Sequence, residues 1–600
     1  MARIDITIKI AGEAGQGLQT MGQLLSKAFA RKGLNVFANQ ALQSRIRGGH
    51  NCFQLRVSTE RVLAPACATD ILIALDEESL AHTQELTESS ITIFDGTGKY
   101  KTLSHTTAKI AESRRRRRFS CSTLVKLKVE RGLSLDIPLE KIAKESGGNK
   151  LMSNTVGLAA VLGILELDIN VLFDLIRESF GAKGKEIAEA NIKVAQAGYN
   201  FTYRKIPGKR LPSLKEISGA KKMLIGGSEA IALGALACGC KFISAYPMSP
   251  STGIMTYLAS KANQFGIVVE QSEDEIASIN IALGASYAGV RAMTASSGGG
   301  FALMVEGLSL SGMTETPLVI VDAQRPGPAT GLPTRTAQED LEYVIFCGHG
   351  EFPRAVLAPR TIEDAFYATV KAFNLADKYQ IPVIILSDQL MADSLLTIDE
   401  LDIDSIKIER NILSNEELKE IKEYKRYRFT ESGISPRVLP GNPYGLVVVD
   451  SDEHDEEGHI TEDVDYTRPQ MVLKRNRKNI GLLKEMAPPL RYGPQHAKNI
   501  LVGWGSSYGA LKEAVDILNA ENEQVCLFHF NELWPLNKEY FDFLERGEFV
   551  CVAENNFRGQ FAHLITATTG RIIENRINKF NGLPFCASEI VVEYRKLLNA

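Results

Sequence analysis

Short apolar runs recur through the middle of this chain at residues 242–245, 267–270, 292–295, 318–322 and 382–387, with helix-length stretches such as 275–288 between them. Strands that alternate with helices cannot pair as hairpins. They form a parallel sheet with helices packed on both faces. The amino end repeats the pattern, with a strand from Ile4 to Ile10, the turn Gly12-Glu-Ala-Gly15-Gln-Gly17, a helix from Leu18 to Lys32 and a strand from Leu34 to Ala38. A third such segment opens at Asn499-Ile-Leu-Val-Gly-Trp-Gly-Ser. The predicted class is multidomain α/β.

At roughly 150 residues per domain, the 600 residues leave room for three or four. Residues 137–200 read as helices, including 151–165 and 170–180, and the connector Lys205-Ile-Pro-Gly-Lys-Arg-Leu-Pro-Ser213 is rich in proline and charge. Residues 400–495 are polar and poorly periodic. The expected division is 1–200, a linker at 201–220, 221–440, an irregular segment at 441–495, and 496–600. Basic residues number 68 and acidic residues 72, a net charge of −4, so no field recruits nucleic acid or an anionic membrane over the whole surface. Nine cysteines are scattered without a Cys-x-x-Cys pair, which argues against a disulfide framework and for a reducing compartment. Nor do they have the spacing of an iron–sulfur ligand set. There is no signal-peptide pattern and no run of 18 apolar residues, so the expected location is the cytoplasm, away from membranes.

Several motifs admit two readings. The first turn is Gly-x-x-Gly-x-Gly, the reverse of the dinucleotide fingerprint, and no acidic residue closes the second strand, which favours a tight strand-to-helix turn over NAD. Ser44-Arg45-Ile-Arg47-Gly48-Gly49-His50-Asn51 could bind an anion or be a solvated basic turn. The run Arg114–Arg118 reads as a solvated loop ahead of a nucleic-acid contact. Glu453-His454-Asp455-Glu456-Glu457-Gly-His459 has metal-ligand composition without His-x-x-x-His spacing, so hydrogen bonding between domains is favoured and no metal site is assigned. Cys238 and Cys240 follow an apolar helix and read as core thiols.

Ligands of parallel sheets bind beyond the carboxyl ends of the strands, where four features of the middle domain fall. The loop Tyr246-Pro247-Met248-Ser249-Pro250-Ser251-Thr252 is stiffened by two prolines. Glu273, Asp274 and Glu275 cluster at a predicted helix start, where capping through the helix dipole is the plain alternative. Ser296-Ser297-Gly298-Gly299-Gly300 is predicted as a turn ahead of a helix at 301–308. The loop from Gln324 to Thr336 holds Arg325 and Arg335, either of which could grip a carboxylate.

Together these motifs resemble the alpha subunit of a 2-oxoacid:ferredoxin oxidoreductase, of the 2-oxoglutarate type, with the gamma domain fused at its amino end. The family motif Tyr-Pro-Ile-Thr-Pro-Ser-Thr stands here as residues 246–252, and the gamma signatures at residues 12–17 and 44–51. Glu453–Asp463 and Glu554–Gln560 are similar to the family's third domain, and the resemblance spans almost the whole chain. It implies a gamma-type domain, a pyrimidine-binding thiamine-diphosphate fold and a transketolase C-terminal-like domain.

The implied activity is coenzyme A-dependent oxidative decarboxylation of a 2-oxoacid, with 2-oxoglutarate going to succinyl-CoA and electrons to ferredoxin, a reaction that is reversible. The implied cofactor is thiamine diphosphate, with Glu275 bonding the N1′ nitrogen, Glu273 as the alternative, and Pro247 and Ser297 beside the cofactor. Tyr246, Ser249 and Arg335, with Arg325 as alternate, would contact the substrate. Ser249 stands where the family has threonine, and Gly253 where it commonly has glutamate. No Gly-Asp-Gly loop for magnesium and diphosphate is present, so the magnesium site and the iron–sulfur cluster are expected on a separate beta subunit, the assembly being a dimer of heterodimers. Pyruvate, an aryl or a branched-chain 2-oxoacid stays open as substrate, and so does a non-catalytic module that has kept the fold.

Overall fold

The computed structural model describes residues 3–43, 49–96, 132–181, 184–204 and 211–600. The run Arg114–Arg118, Ser44 to Gly48 of the basic loop, and residues 205–210 of the connector lie outside the described residues. The chain divides into two compact units, residues 1–224 with 394–400, and residues 225–393 with 401–600.

The first unit is a mixed sheet with helices. Its strand Asp5–Glu13 pairs parallel with Thr69–Ala74 and antiparallel with His50–Ser58. Beyond His50–Ser58 lies Asn35–Ala41, and then Leu395–Ile398, which returns from far along the chain. Helix Leu18–Arg31 follows the first turn as predicted, starting at Gly17 with φ 75°, a left-handed conformation that glycine adopts without strain. Helices Ser153–Ile164 and Asn170–Phe180 stand where they were expected. The expected contiguous 221–440 domain is interrupted, because 394–400 leaves it to join this sheet. Val36 N–H donates to Thr397 Oγ1 at 2.8 Å, a pairing that no local pattern announces.

The second unit holds two sheets. The larger runs in the order Glu532–Trp534, Ala355–Leu357, Pro382–Asp388, Leu318–Gln324, Arg291–Ser296, Cys240–Ala245, Val268–Gln271, parallel except for its first member. All seven residues of Leu318–Gln324 are buried, as befits a central parallel strand covered on both faces. The smaller sheet runs Leu490–Tyr492, Val525–Phe530, Asn499–Trp504, Phe549–Glu554, Asn575–Asn578. One apolar core joins the two sheets, running from Leu318, Ile320 and Ile384 to Trp504, Phe530 and Phe561. Among the described residues no helix is long and apolar enough to cross a membrane.

The 400–495 region is more regular than its sequence suggested, since it contains the 19-residue helix Thr467–Glu485. Its apolar periodicity is weak because its buried face is cationic. Lys474 and Lys478 are fully buried and each lies 2.5 Å from a carboxylate oxygen of Glu315. Arg475 pairs with Glu453 at 2.9 Å. The charged stretch 453–459 is thus partly structural: Glu453 binds Arg475 and Arg468, and buried His454 lies against the Tyr427 ring, centroids 4.1 Å apart. Cys238 and Cys240 are buried, and burial pushes both thiols up to about 12, which fits core residues without redox chemistry.

Candidate functional site

The strand order fixes where a ligand can enter. From Cys240–Ala245 the chain passes through helix Thr252–Phe265 to Val268–Gln271 on one side, then through helix Glu275–Tyr287 back to Arg291–Ser296 on the other. This reversal opens a crevice at the carboxyl ends of the two strands flanking it. The Tyr246 loop, the Glu275 helix start, the Ser297 turn and the Arg325 loop all begin at these strand ends.

Asp274 caps its helix, its side chain accepting from Ala277 N–H at 2.8 Å. Capping by Asp274 leaves the next residue free to turn inward, and Glu275 is 3% exposed, whereas Glu273 is exposed. Ser296 Oγ donates to Glu275 Oε1 at 3.0 Å, and the same hydroxyl lies 3.7 Å from the Met248 sulfur. The glycines predicted as a turn are themselves a short helix, Gly298–Phe301, and the helix expected at 301–308 begins at Val305 instead. Two of these glycines are required by close approach. A Cβ on Gly300 would stand 2.6 Å from Glu275 Cδ, and one on Gly298 would stand 2.8 Å from Asp340 Cγ. Ser297 Oγ is buried and has no hydrogen-bond partner among the described residues.

Tyr246 and Ser249 are exposed and Pro247 is partly buried. Ser249 is held through its backbone, its carbonyl accepting from Arg325 Nη1 at 2.7 Å. Ser251 Oγ closes the loop by donating to Met248 O at 2.8 Å. Gly253 has a local reason: a Cβ there would meet Ser228 Oγ at 2.8 Å. The two arginines part company. Arg325 interacts electrostatically with both Asp340 and Glu275, and its own burial lowers its pKa. The stem of Arg335 lies instead against Gly582, whose Cβ position is 3.1 Å from Arg335 Cβ.

Two residues of this cluster were not singled out in the sequence. Asp322 is fully buried and neither of its oxygens has a hydrogen-bond partner among the described residues. Burial, and then Asp340 beside it, hold its carboxyl far above the usual range. Asp340 is pushed up to about 7, mainly by burial and then by Glu339. The signal available for Asp322 was a carboxylate within an otherwise apolar strand. For Asp340 there was none.

The buried Glu275–Ser296 pair, the orphaned Ser297 hydroxyl and the side-chain-free Gly298–Gly300 backbone suit a flat heteroaromatic ring with a nitrogen for Glu275. Comparison with known proteins gives the family. Residues 233–473 match the family described as pyruvate flavodoxin/ferredoxin oxidoreductase, thiamine diphosphate-binding, and residues 7–201 match pyruvate ferredoxin/flavodoxin oxidoreductase. The 2-oxoacid:ferredoxin oxidoreductase subunit alpha of Sulfolobus sp is 35% identical over 626 residues, covering 97% of this chain and 95% of that protein. The 2-oxoglutarate oxidoreductase subunit KorA of Mycobacterium tuberculosis is 29% identical, covering 98% of this chain and 90% of that protein. Among solved structures, the 2-oxoglutarate:ferredoxin oxidoreductase of Magnetococcus marinus, with 2-oxoglutarate, coenzyme A and succinyl-CoA bound, is 32% identical with a TM-score of 0.88 and covers 99% of both chains. With its thiamine diphosphate-binding domain and near-complete coverage, this chain belongs to the 2-oxoacid:ferredoxin oxidoreductase family, among its alpha subunits.

Proposed function

We propose that this chain holds the aminopyrimidine half of thiamine diphosphate and the 2-oxoacid, and that it works only with a beta subunit carrying the magnesium–diphosphate site and the iron–sulfur cluster. The observation that carries the reading is the buried Glu275–Ser296 pair, open to the Gly298–Gly300 backbone at the switch point of the sheet. Thiamine diphosphate supplies the nucleophile and the electron sink for decarboxylation. Glu275 holds a proton at the ring nitrogen N1′, and Ser296 fixes the carboxyl that does so. Pro247 and Ser297 would hold the ring, and Tyr246 and Ser249 would contact the substrate. Arg325 takes the substrate carboxylate ahead of Arg335, because it stands against the Tyr246 loop and within electrostatic reach of Glu275.

The substrate we infer is 2-oxoglutarate, converted reversibly to succinyl-CoA with electrons passing to ferredoxin. The support is the full-length similarity to a structure that contains 2-oxoglutarate and succinyl-CoA. Substrate-dependent reduction of a viologen dye by the purified complex, across 2-oxoglutarate, pyruvate, aryl and branched-chain 2-oxoacids with coenzyme A, tests this. Faster turnover of another acid would replace 2-oxoglutarate. Glu275→Gln should abolish turnover while the complex still assembles, and wild-type turnover in that variant would remove Glu275 from its role.

A further inference from the structure

Asp322 and Asp340 have no part in the chemistry above, yet the Asp340 carboxyl packs on Gly298 of the site and Asp322 is buried within its electrostatic reach. Asp322 lies on the same strand face as Leu318 and Ile320 of the core. An ionised carboxylate there would lose its hydration without gaining a partner, so Asp322 keeps its proton. Asp340 is tied by its backbone, whose N–H donates to Gln324 Oε1 at 3.0 Å. Its carboxyl packs on Gly298, with Oδ2 enclosed and without a hydrogen-bond partner among the described residues. The titratable groups around it are Asp322 on the strand, Arg325 and Glu339 on the loop, and Tyr343 on helix Leu341–Phe346. The Gly298–Gly300 segment brings no titratable side chain. Arg325 is therefore a cation within electrostatic reach of two carboxyls, Asp340 and Glu275, with Nη1 already given to the Ser249 carbonyl.

We propose that Asp340 is a positioning residue for the 2-oxoacid: while it holds its proton, the charge of Arg325 is left for the substrate carboxylate, and once ionised it draws the guanidinium and repels the incoming anion. The inference rests on the reading of Arg325 as the carboxylate-binding residue. Burial and then Glu339, opposed by Arg325, bring the ionisation of Asp340 to about pH 7, whereas a 2-oxoacid is fully anionic throughout the neutral range. The substrate's charge is thus constant where that of Asp340 changes. At an effective dielectric constant of about 20, one added negative charge about 12 Å away weakens anion binding by about tenfold, and a nearer one by more.

The test uses the complete complex with 2-oxoglutarate and viologen reduction, separating KM from kcat between about pH 6 and pH 8.5, a window that brackets the ionisation. In the wild type KM should rise by at least about tenfold across this range. Asp340→Asn should hold KM near its low-pH value throughout, with any change in kcat smaller than that in KM. Asp340→Ser, neutral and smaller, should do the same and guards against a packing fault specific to asparagine. A KM that still rises with the wild-type slope in either variant overturns the role of Asp340. Arg325→Ala should give a KM above the wild-type value at every pH of the window. A wild-type KM in that variant would overturn the Arg325 reading instead, so the two failures are told apart.

Discussion

Gly300→Ala probes the geometry of the site with a single methyl group. The added Cβ would sit 2.6 Å from Glu275 Cδ and closer still to Glu275 Oε1 and Ser296 Oγ. Neither neighbour can step aside freely, since Glu275 is 3% exposed and Ser296 is fully buried. Overpacking of this kind costs about 1–3 kcal/mol of stability, felt as a lower unfolding midpoint. The larger effect falls on activity, because the side chain that must move is the one proposed to hold the N1′ proton. Displacing a reacting group by about 1 Å costs on the order of 10²-fold in rate. Gly299→Ala is the control, as its Cβ would be 3.7 Å from Ala329 O and the residue is exposed. It should change stability by less than about 0.5 kcal/mol. The assay is the unfolding midpoint of each variant together with viologen-coupled turnover of the assembled complex. If Gly300→Ala turns over like the wild type, Glu275 is not held where the structure has it and the site assignment fails.

Glu315→Ala should destabilise the second unit by about 3–5 kcal/mol, because it leaves the buried ammonium groups of Lys474 and Lys478 without their carboxylate; a change below about 1 kcal/mol in denaturant unfolding would contradict the pairing. Asp388 is 2% exposed, and burial raises its carboxyl from the ordinary 3.8 to about 6. A raised acid binds its proton more tightly when folded, so its contribution is present below pH 3.8 and is lost as pH rises to about 6. The loss amounts to roughly 3 kcal/mol. Asp388→Asn should flatten unfolding midpoints across that window, and parallel profiles for variant and wild type would refute the assignment.

Much of the second unit was legible because its strands are buried on both faces and therefore read as unbroken apolar runs. The run predicted at 318–322 is the strand Leu318–Gln324, and that at 292–295 is Arg291–Ser296. The helix Thr467–Glu485 was missed for the converse reason. Its buried side carries Lys474, Arg475 and Lys478, whose partners Glu315 and Glu453 are distant in sequence. The strand Leu395–Ile398 reads as an extension of the middle domain until its pairing with Phe37 and Ala38 is seen. At the site, the Tyr246 loop, Glu275 and the glycine run were recognisable as motifs, but the different surroundings of Arg325 and Arg335 were not. Both lie on one loop, and only its folded path sets one against Ser249 and the other against Gly582.

By itself the sequence determined the α/β class, the order of the strands along the chain and the family, because these depend on local periodicity and on short motifs. The tertiary structure decided which of several carboxylates and arginines share a crevice. Asp322 near Asp340, Glu275 against Gly300 and Arg325 within electrostatic reach of two acids are matters of distance across strands rather than along the chain. Burial then changes their chemistry: a carboxyl that would be ionised in water holds its proton to about pH 7 at Asp340, since desolvation penalises charge by an amount that no linear pattern of residues records.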